Sequence, residues 1–376
     1  MSQSTTRGRD TIHYAVVGLG HITQAAVLPA FENADNCELT ALVSGDQDKL
    51  DELGDKYGVE YSVHYDDYEE FLEEGLVDAV YIAVPNHLHR DFTVQAAEAG
   101  VHVLCEKPMA VTAEECREMI EACERNDVKL MIAYRLHFEA GNLEAVELVQ
   151  QGKLGDLRFF DATFTQDVVE GDIRLNPIEK GGGSVYDMGI YCINAARFLF
   201  RGEPFEVSAW SESSDDPRFA DCDEMTSAIL RFPGHRLATF TSSFGSAKTD
   251  TFRLVGTDGE LVMEPAFGYA THIKYELTAD EDTQSHTFPK RDQFGPELIY
   301  FADCVLDNKH PEPDGYEGMA DVQIIEAIYE SARKGEPVMV EPVEEQIRPE
   351  RDQEITRPGF PKPDEVKASG PKEKGP

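Results

Sequence analysis

The chain has 376 residues, 41% of them hydrophobic, and its 72 acidic residues against 34 lysines and arginines give a net charge of −38 and a pI near 4.5. That length and composition are typical of a globular protein with two packed domains. A surface this acidic repels duplex DNA and anionic lipid, which argues against nucleic-acid and membrane partners. We predict adaptation to a high-salt cytoplasm, where counter-ions screen the repulsion between carboxylates.

The cysteines and the N-terminus indicate a reducing, cytoplasmic location. Seven cysteines are scattered and form no C-x-x-C pair, so the sequence predicts neither a disulfide framework nor a metal site. The N-terminus has no apolar core of the signal-peptide kind, and no apolar run approaches membrane-spanning length.

After an N-terminal extension over 1–11, apolar strands alternate with helical stretches from 12 to 135. The strand candidates are HYAVV, ELTALVS, DAVYIAV, VHVLCE and KLMIAY. Such alternation predicts an α/β domain, a doubly wound parallel sheet with helices on both faces. Thr112, with Glu115 three residues later, predicts a capping box at the start of one of these helices.

From 136 to 340 the pattern changes to longer strands, several of them with a period of two. The candidates are LRFFDATFTQ, FEVSAWSES, MTSAILRF, RLATFTSSFG, DTFRLVGTDGELVME and THIKYELT, with helices near 139–151, 187–200, 295–307 and 317–334. We therefore predict a second, α+β domain on a large, mostly antiparallel open sheet. Pro, Glu, Lys and Arg enrich 341–376, which predicts an extended or disordered tail.

A glycine-rich turn directly follows the first strand, in VVGLGHIT. Gly18 permits a tight turn, and Gly20 lets the backbone approach a pyrophosphate at the start of a helix. Thr23 stands where the third glycine of G-x-G-x-x-G is expected, so the motif depends on its strand–helix context. We assign Gly18, Gly20, His21 and Ile22 to a dinucleotide site; the alternative is a tight turn without a ligand.

The end of the second strand, ALVSGDQDK, selects between two dinucleotides. An NAD site usually has a carboxylate here for the ribose 2′-hydroxyl, whereas this strand ends at Ser44 and Gly45, with Lys49 one turn further on. A hydroxyl and a nearby ammonium suit a 2′-phosphate, which favours NADP. Asp46 and Asp48 oppose this assignment, and Lys49 as a solvated helix residue remains the alternative.

Two further strand ends carry polar side chains, in VPNHLH and CEKP. Ligands bind at the carboxyl edge of a parallel sheet, so Pro85, Asn86 and His89 are expected to line the cofactor. Glu106 and Lys107 lie at the same edge. The ammonium of Lys107 is suited to polarising an oxygen or shifting the protonation of a neighbour; its alternative role is a surface salt bridge.

The segment GGGSVYDMGIYCIN combines three glycines with a helix that carries two polar side chains. Asp187 and Tyr191 are four residues apart and therefore share one helical face. A tyrosine beside a lysine is a candidate general base. Alternatively, Tyr191 packs against the sheet with its hydroxyl bonded to Asp187.

Taken in order, AVVGLG, DAVYIAVPNHLH, AAEAGVHVLCEKPMAV, LMIAYRLHF and GGGSVYDMGIYCIN resemble the family of glucose–fructose oxidoreductase and inositol dehydrogenase. The resemblance covers about 12–340. It implies that Lys107 and Asp187 are catalytic, that Tyr191 joins them in the sugar-oxidising branch, and that Arg135 and His137 contact substrate. Arg135, Glu106 and Lys107 are also assigned to the cofactor.

The resemblance implies NADP-dependent oxidation of an aldopyranose at C1 to its lactone, with D-xylose as the expected sugar. Because the first strand begins so near Met1, we expect no export signal and no cofactor-holding arm, and therefore exchange of cofactor with solution. The alternatives are a keto-sugar or anhydro-sugar reductase, an oxidoreductase that retains NADP, and a catalytically silent NADP-binding sensor. The open sheet predicts a homo-dimer or homo-tetramer.

Overall fold

The first half of the chain forms a parallel sheet in the computed structural model, which describes residues 10–343 and 347–368. Its strands are β1 (Ile12–Val17), β2 (Cys37–Ser44), β3 (Tyr61–His64), β4 (Ala79–Ile82), β5 (His102–Glu106) and β6 (Leu130–Ala133). Their order is β3-β2-β1-β4-β5-β6. The order reverses between β1 and β4, which places a ligand crevice at the carboxyl ends of these strands. The predicted doubly wound sheet is confirmed.

Helical segments cover both faces of this sheet. They are a π turn (Thr23–Val27) leading into α1 (Leu28–Ala30), then α2 (Gln47–Tyr57), α3 (Tyr68–Glu73), α4 (His89–Glu98) and α5 (Ala113–Arg125). At the start of α5, Thr112 and Glu115 each accept a hydrogen bond from the other's backbone N–H, which confirms the capping box. The sequence prediction missed β3, because only Val63 of its four residues is buried.

A second sheet follows, mixed but mostly antiparallel, as predicted. Its strands are β7 (Leu157–Asp167), β8 (Glu206–Glu212), β9 (Met225–Phe232), β10 (Arg236–Ser243), β11 (Gly245–Gly256), β12 (Gly259–Met263), β13 (Ile273–Ala279), β14 (Asp282–Phe288) and the short β16 (Val338–Met339). The two-residue strands β15 (Arg291–Asp292) and β17 (Arg357–Pro358) lie outside it. The sheet order is β14-β13-β12-β11-β7-β10-β9-β8-β16, with β7 and β10 parallel, and β15 pairs with β17. The sequence prediction missed β14, which is polar and exposed along most of its length.

Four α-helices lie among the described residues of the second part of the chain, and three of them pack on one face of the second sheet. They are α6 (Ala140–Gln150), α7 (Ile190–Phe200), α8 (Gly295–Leu306) and α9 (Gly315–Lys334). Contacts join α7 to β7 and α9 to β8, whereas α8 packs back on β1 and β2 of the first sheet. Beyond the predicted division at 135 and 136, the chain therefore returns to the first sheet at α8. Among the described residues, no helix is long and apolar enough to cross a membrane.

The opposite face of the second sheet carries exposed apolar side chains. Leu237 on β10 stands beside Phe159 on β7, and the two side chains are 45% and 42% exposed. Trp210, Met225 and Ile229 extend this apolar surface over β8 and β9. The apolar outer surface lies across the four strands β7 to β10.

The C-terminal segment 347–368 lies on the body of the protein in a mostly extended conformation. Arg348 is buried against Glu317 of α9. Further along, Asn33 donates a hydrogen bond to the carbonyl oxygen of Pro358, and Val366 packs against the core of the first domain. The described part of the predicted tail is therefore extended and docked, and 369–376 lies outside the described residues.

Candidate active site

The glycine turn after β1 has the shape that a dinucleotide requires. Gly18 has φ of +95°, and a Cβ there would lie 2.5 Å from the carbonyl oxygen of Ala83, so only glycine fits this close crossing of backbones. Among the described residues, no atom lies within 4 Å of a Cβ added at Gly20, which leaves its backbone open. Thr23 donates a 2.7 Å hydrogen bond to the carbonyl oxygen of Gly18 and closes the turn. These residues fit a bound dinucleotide.

The end of β2 adjoins this turn. Ser44 is buried, and its hydroxyl accepts a 3.1 Å hydrogen bond from the backbone N–H of Asp46. Lys49 donates from Nζ to the carbonyl oxygen of Leu19 at 3.0 Å, so its ammonium lies beside the glycine turn. The structure therefore brings Ser44, Gly45 and Lys49 together with the predicted pyrophosphate loop.

The turn that follows β4 contacts the second domain. Pro85 begins a short turn, and Asn86 donates from Nδ2 to the carbonyl oxygen of Gly181 at 2.7 Å. A Cβ at the neighbouring Gly182 would lie 1.7 Å from the carbonyl oxygen of Asn176. Protein packing, and not a ligand, is therefore what requires a glycine at position 182.

His89 does not line the cofactor crevice. Its ring is buried, with Nε2 2.9 Å from the carbonyl oxygen of Val84 and Nδ1 2.8 Å from that of Pro108. Burial lowers the pKa of His89. We infer that His89 holds the two strand ends in place and has no nitrogen left for a ligand.

The strand end at Lys107 meets Asp187, in the π turn Val185–Gly189 that leads into α7, and Tyr191, in the first turn of α7. Nζ of Lys107 donates to the carbonyl oxygen of Asp187 at 3.1 Å, lies 3.4 Å from its Oδ1, and lies 4.6 Å from the centre of the Tyr191 ring. The peptide bond to Pro108 is cis. Glu106 turns the other way and accepts a 2.8 Å hydrogen bond from the hydroxyl of Tyr81.

Charges around this pair keep it ionised. Burial alone lowers the pKa of Lys107, but its neighbours Tyr191, Asp187 and Glu106 outweigh it, and the net direction is upward. Burial raises the pKa of Asp187, but Lys107 and Arg174 outweigh it, and the net direction is downward. Lys107 and Asp187 therefore form a charged pair at neutral pH.

Arg135 completes the site from the end of β6. Its Nη2 donates a 3.0 Å hydrogen bond to the hydroxyl of Tyr191, and its guanidinium lies 5.0 Å from the ring centre. The side chain is buried and is held by Gln293 and by the carbonyl oxygen of Phe267. The structure thus brings together four of the residues assigned to the site, Lys107, Arg135, Asp187 and Tyr191.

His137 lies outside this cluster. It is fully buried, with Nδ1 2.9 Å from a carboxylate oxygen of Glu312 and Nε2 2.8 Å from Oδ1 of Asn194. Burial lowers the pKa of His137, but the carboxylates of Glu312 and Glu317 outweigh it and raise it. The structure places His137 in the protein interior, without access to a sugar.

Two residues of the site had no signal in the sequence. Arg174, from the loop after β7, lies 3.4 Å from Oδ2 of Asp187 and holds Asp172 through two hydrogen bonds. Glu297, in the first turn of α8, is fully buried, and neither carboxylate oxygen has a hydrogen-bond partner among the described residues. Burial and the nearby charge of Glu106 raise the pKa of Glu297 well above its usual value. Loop and helix-start residues carry no periodic pattern that identifies such contacts.

The fold and the strand-edge lysine define a two-domain oxidoreductase that uses a dinucleotide. Residues 12–134 match the family described as "Oxidoreductase family, NAD-binding Rossmann fold", and residues 142–262 match the "GFO/IDH/MocA C-terminal domain". The chain belongs to the GFO/IDH/MocA oxidoreductase family.

Three similar proteins have names that describe enzymes acting on sugars. The chain is 34% identical to a D-xylose 1-dehydrogenase [NADP(+)] of Haloarcula marismortui, over 88% of this chain and 93% of the relative. It is also 34% identical to a D-xylose 1-dehydrogenase (NADP(+)) of Haloferax volcanii, over 86% of this chain and 98% of that relative. The crystal structure of an aldose-aldose oxidoreductase from Caulobacter crescentus, complexed with glycerol, has a TM-score of 0.84 and 36% identity, over 88% of this chain and all of that one.

Proposed function

We propose that this protein is an NADP-dependent aldose 1-dehydrogenase that oxidises D-xylose to D-xylonolactone. One observation carries the proposal: Lys107 and Arg135, from the ends of adjacent strands, both lie against Tyr191 at the carboxyl edge of the dinucleotide-binding sheet. The similarity to two NADP-dependent D-xylose 1-dehydrogenases supports the choice of sugar and cofactor.

Each of these side chains has a separate role in the oxidation of the sugar. Tyr191 accepts the proton of the anomeric hydroxyl, because its own hydroxyl is held by the guanidinium of Arg135 and the ammonium of Lys107 lies against its ring. Lys107 orients the anomeric oxygen, and Asp187 holds Lys107 in place through the 3.4 Å ion pair. When bound, NADP supplies the acceptor for the hydride that leaves C1. The product of these two transfers is the lactone.

The residues at the end of β2 support NADP over NAD. Ser44 and Lys49 offer a hydroxyl and an ammonium where an NAD site usually has a carboxylate. Lys49 lies against the glycine turn, with its Nζ bonded to the carbonyl oxygen of Leu19. Gly18, Gly20, His21 and Ile22 supply the turn itself and the start of the helix.

The acidic surface and the exposed sheet complete the proposal. A net charge of −38 suits a salt-rich cytoplasm, where counter-ions screen the carboxylates. The apolar outer surface over β7 to β10 suits pairing of two copies, because contiguous apolar patches mark interaction sites. We place the enzyme in the cytoplasm as a homo-oligomer.

The test is reduction of nicotinamide by the purified protein in molar salt, with xylose, glucose, arabinose and inositol, each paired with NADP and with NAD. We expect the highest kcat/KM for xylose with NADP. A protein that turns over inositol but no aldose contradicts the proposal. A protein without turnover on any pair contradicts it too.

A second candidate is an enzyme that keeps its NADP and couples the oxidation of one aldose to the reduction of another. The 36% identity to the aldose-aldose oxidoreductase favours it. Denaturing the purified protein and identifying any released dinucleotide separates the two. The second candidate is supported if the denatured protein releases one NADP per chain and if the protein forms sugar products in an assay to which no NADP is added.

A further inference from the structure

The C-terminal segment 364–367 lies beside the cofactor turn. Gln24, buried in the first helical segment, donates from Nε2 to the carbonyl oxygen of Val366 at 3.0 Å and accepts from its N–H at 2.7 Å. Lys56 donates to the carbonyl oxygen of Asp364 at 2.9 Å. The backbone of this segment is therefore fixed at two points on the first domain.

Side chains fix the same segment to the residues assigned to the dinucleotide. Oε2 of Glu365 lies 2.6 Å from Nδ1 of His21, which follows Gly20 directly, and the Glu365 side chain is only 9% exposed. Nζ of Lys367 lies 3.4 Å from Oδ1 of Asp46 and also contacts the carboxylate of Asp48. The docked segment therefore reaches both the pyrophosphate turn and the end of β2.

Lys367 changes the charge at the end of β2. Asp46 and Asp48 are the first residues after Ser44 and Gly45 that carry charge, and both would repel a 2′-phosphate. Without Lys367, the single positive charge of Lys49 offsets the negative charge of only one of these two carboxylates. With Lys367 the end of β2 has two ammonium groups for its two carboxylates, while the carboxylate that the same segment adds, Glu365, lies against His21.

We propose that the segment 364–367 forms part of the cofactor site, and that Lys367 is a specificity residue for NADP over NAD. This inference rests on the proposed NADP dependence. Glu365 and Val366 anchor the segment. Lys367 offsets Asp46 and Asp48 and adds a second cation to Lys49 for the 2′-phosphate. NAD lacks that phosphate and gains nothing from Lys367.

Calorimetric titration of the full chain with NADP and with NAD, at one salt concentration that keeps it folded, tests the inference. We expect Lys367→Gln to raise the Kd of NADP about fivefold and to leave the Kd of NAD within about twofold, as for one charge interaction near water. Lys362→Gln is the matched control, because this lysine lies just before the segment, is 73% exposed and lies 3.5 Å from Glu365, away from Asp46 and Asp48. It should bind both dinucleotides as the parent does.

A rescue variant separates charge from folding. In the Lys367→Gln background, Asp48→Asn removes one of the carboxylates that Lys367 offsets, and should recover most of the NADP affinity. Hydrogen exchange of the 361–368 peptide should slow more with NADP than with NAD.

The outcomes distinguish this inference from the function it rests on. A parent chain that binds NADP no better than NAD overturns both. A parent that prefers NADP, with a Lys367→Gln variant that keeps the full preference, overturns this inference alone, as does equal exchange of the segment with either dinucleotide.

Discussion

The hydroxyl of Tyr191 accepts a 3.0 Å hydrogen bond from Nη2 of Arg135 while Nζ of Lys107 lies 4.6 Å from the centre of the same ring. Both cations come from the ends of β5 and β6, which pair side by side in the first sheet. The tyrosine comes from the second domain. The Tyr191 hydroxyl and the two cations that lie against it are therefore brought together only when the two domains pack.

Lys107→Met should lower kcat at least about 100-fold, the range in which a positioned acid–base group contributes. The Kd of NADP should stay within about threefold of the parent value, because the side-chain contacts of Lys107 are with Asp187 and Tyr191. Steady-state kinetics and a dinucleotide titration check both parts. Lys334→Met, at a surface ion pair with Glu330, is the control and should be neutral. Near-normal turnover of Lys107→Met removes the lysine from the mechanism.

Tyr191→Phe should lose rate and keep binding. The ring packs edge-on against Phe164 with centres 5.7 Å apart, and phenylalanine preserves that contact. Removing the hydroxyl takes away the proton acceptor, so kcat and kcat/KM should both fall about 100-fold with little change in the KM for xylose. A raised KM with unchanged kcat would instead assign Tyr191 to packing and substrate fit.

His137 should stabilise the fold most at low pH. Both ring nitrogens face acceptors, a carboxylate of Glu312 and the amide oxygen of Asn194, whose Nδ2 is committed to Glu317 and Asp321. The ring therefore donates twice and is an imidazolium. Since its pKa is raised in the folded chain, its contribution is full below the unfolded pKa of about 6.5 and is lost as pH rises through the folded value.

Urea unfolding of the parent and of His137→Gln from about pH 6 to about pH 9 measures that contribution. The difference in free energy of unfolding should be largest at the acid end and shrink as the pH rises. A difference that grows with pH contradicts an imidazolium. The KM for sugar should stay close to the parent value, because the buried ring has no access to substrate.

The sequence predicted the parts of the site that lie at strand ends. Gly18, Lys107 and Arg135 each follow an apolar strand. The carboxyl ends of parallel strands lie at one edge of the sheet, so residues that follow these strands lie near one another whatever the conformation of the loops. His89 follows a strand too, but its ring turns inward to two carbonyl oxygens. Arg174, Glu365 and Lys367 come from irregular segments with no period, so only the folded chain shows where they lie.

Arg348→Met should destabilise the protein by about 3 kcal/mol, because it leaves buried carboxylates short of a cation. Arg348 contacts Glu203 and lies 2.7 Å from Oε2 of Glu317, a carboxylate shared with Arg197. Burial raises the pKa of Glu203, but Arg197 and Arg348 outweigh it and lower the value to about 2. Chemical unfolding in molar salt gives the free energy.

A surface ion pair supplies the control for Arg348. Arg201 pairs with Glu350 at 2.7 Å, but the two side chains are 34% and 42% exposed. Arg201→Met should therefore cost no more than about 1 kcal/mol. Equal losses in the two variants would mean that burial adds nothing to the contribution of Arg348.

Leu237→Glu should convert the proposed oligomer to monomers. Leu237 lies at the centre of the apolar outer surface, paired in register with Phe159 on one side and Arg231 on the other. A carboxylate there would be buried against the apolar patch of the other copy without a counter-charge, which a symmetric contact imposes twice. Light scattering coupled to gel filtration gives the mass, and Ile347→Glu, also exposed but outside the sheet, should leave it unchanged. An oligomer that survives Leu237→Glu uses another surface, and a parent chain that is already monomeric contradicts pairing through this sheet.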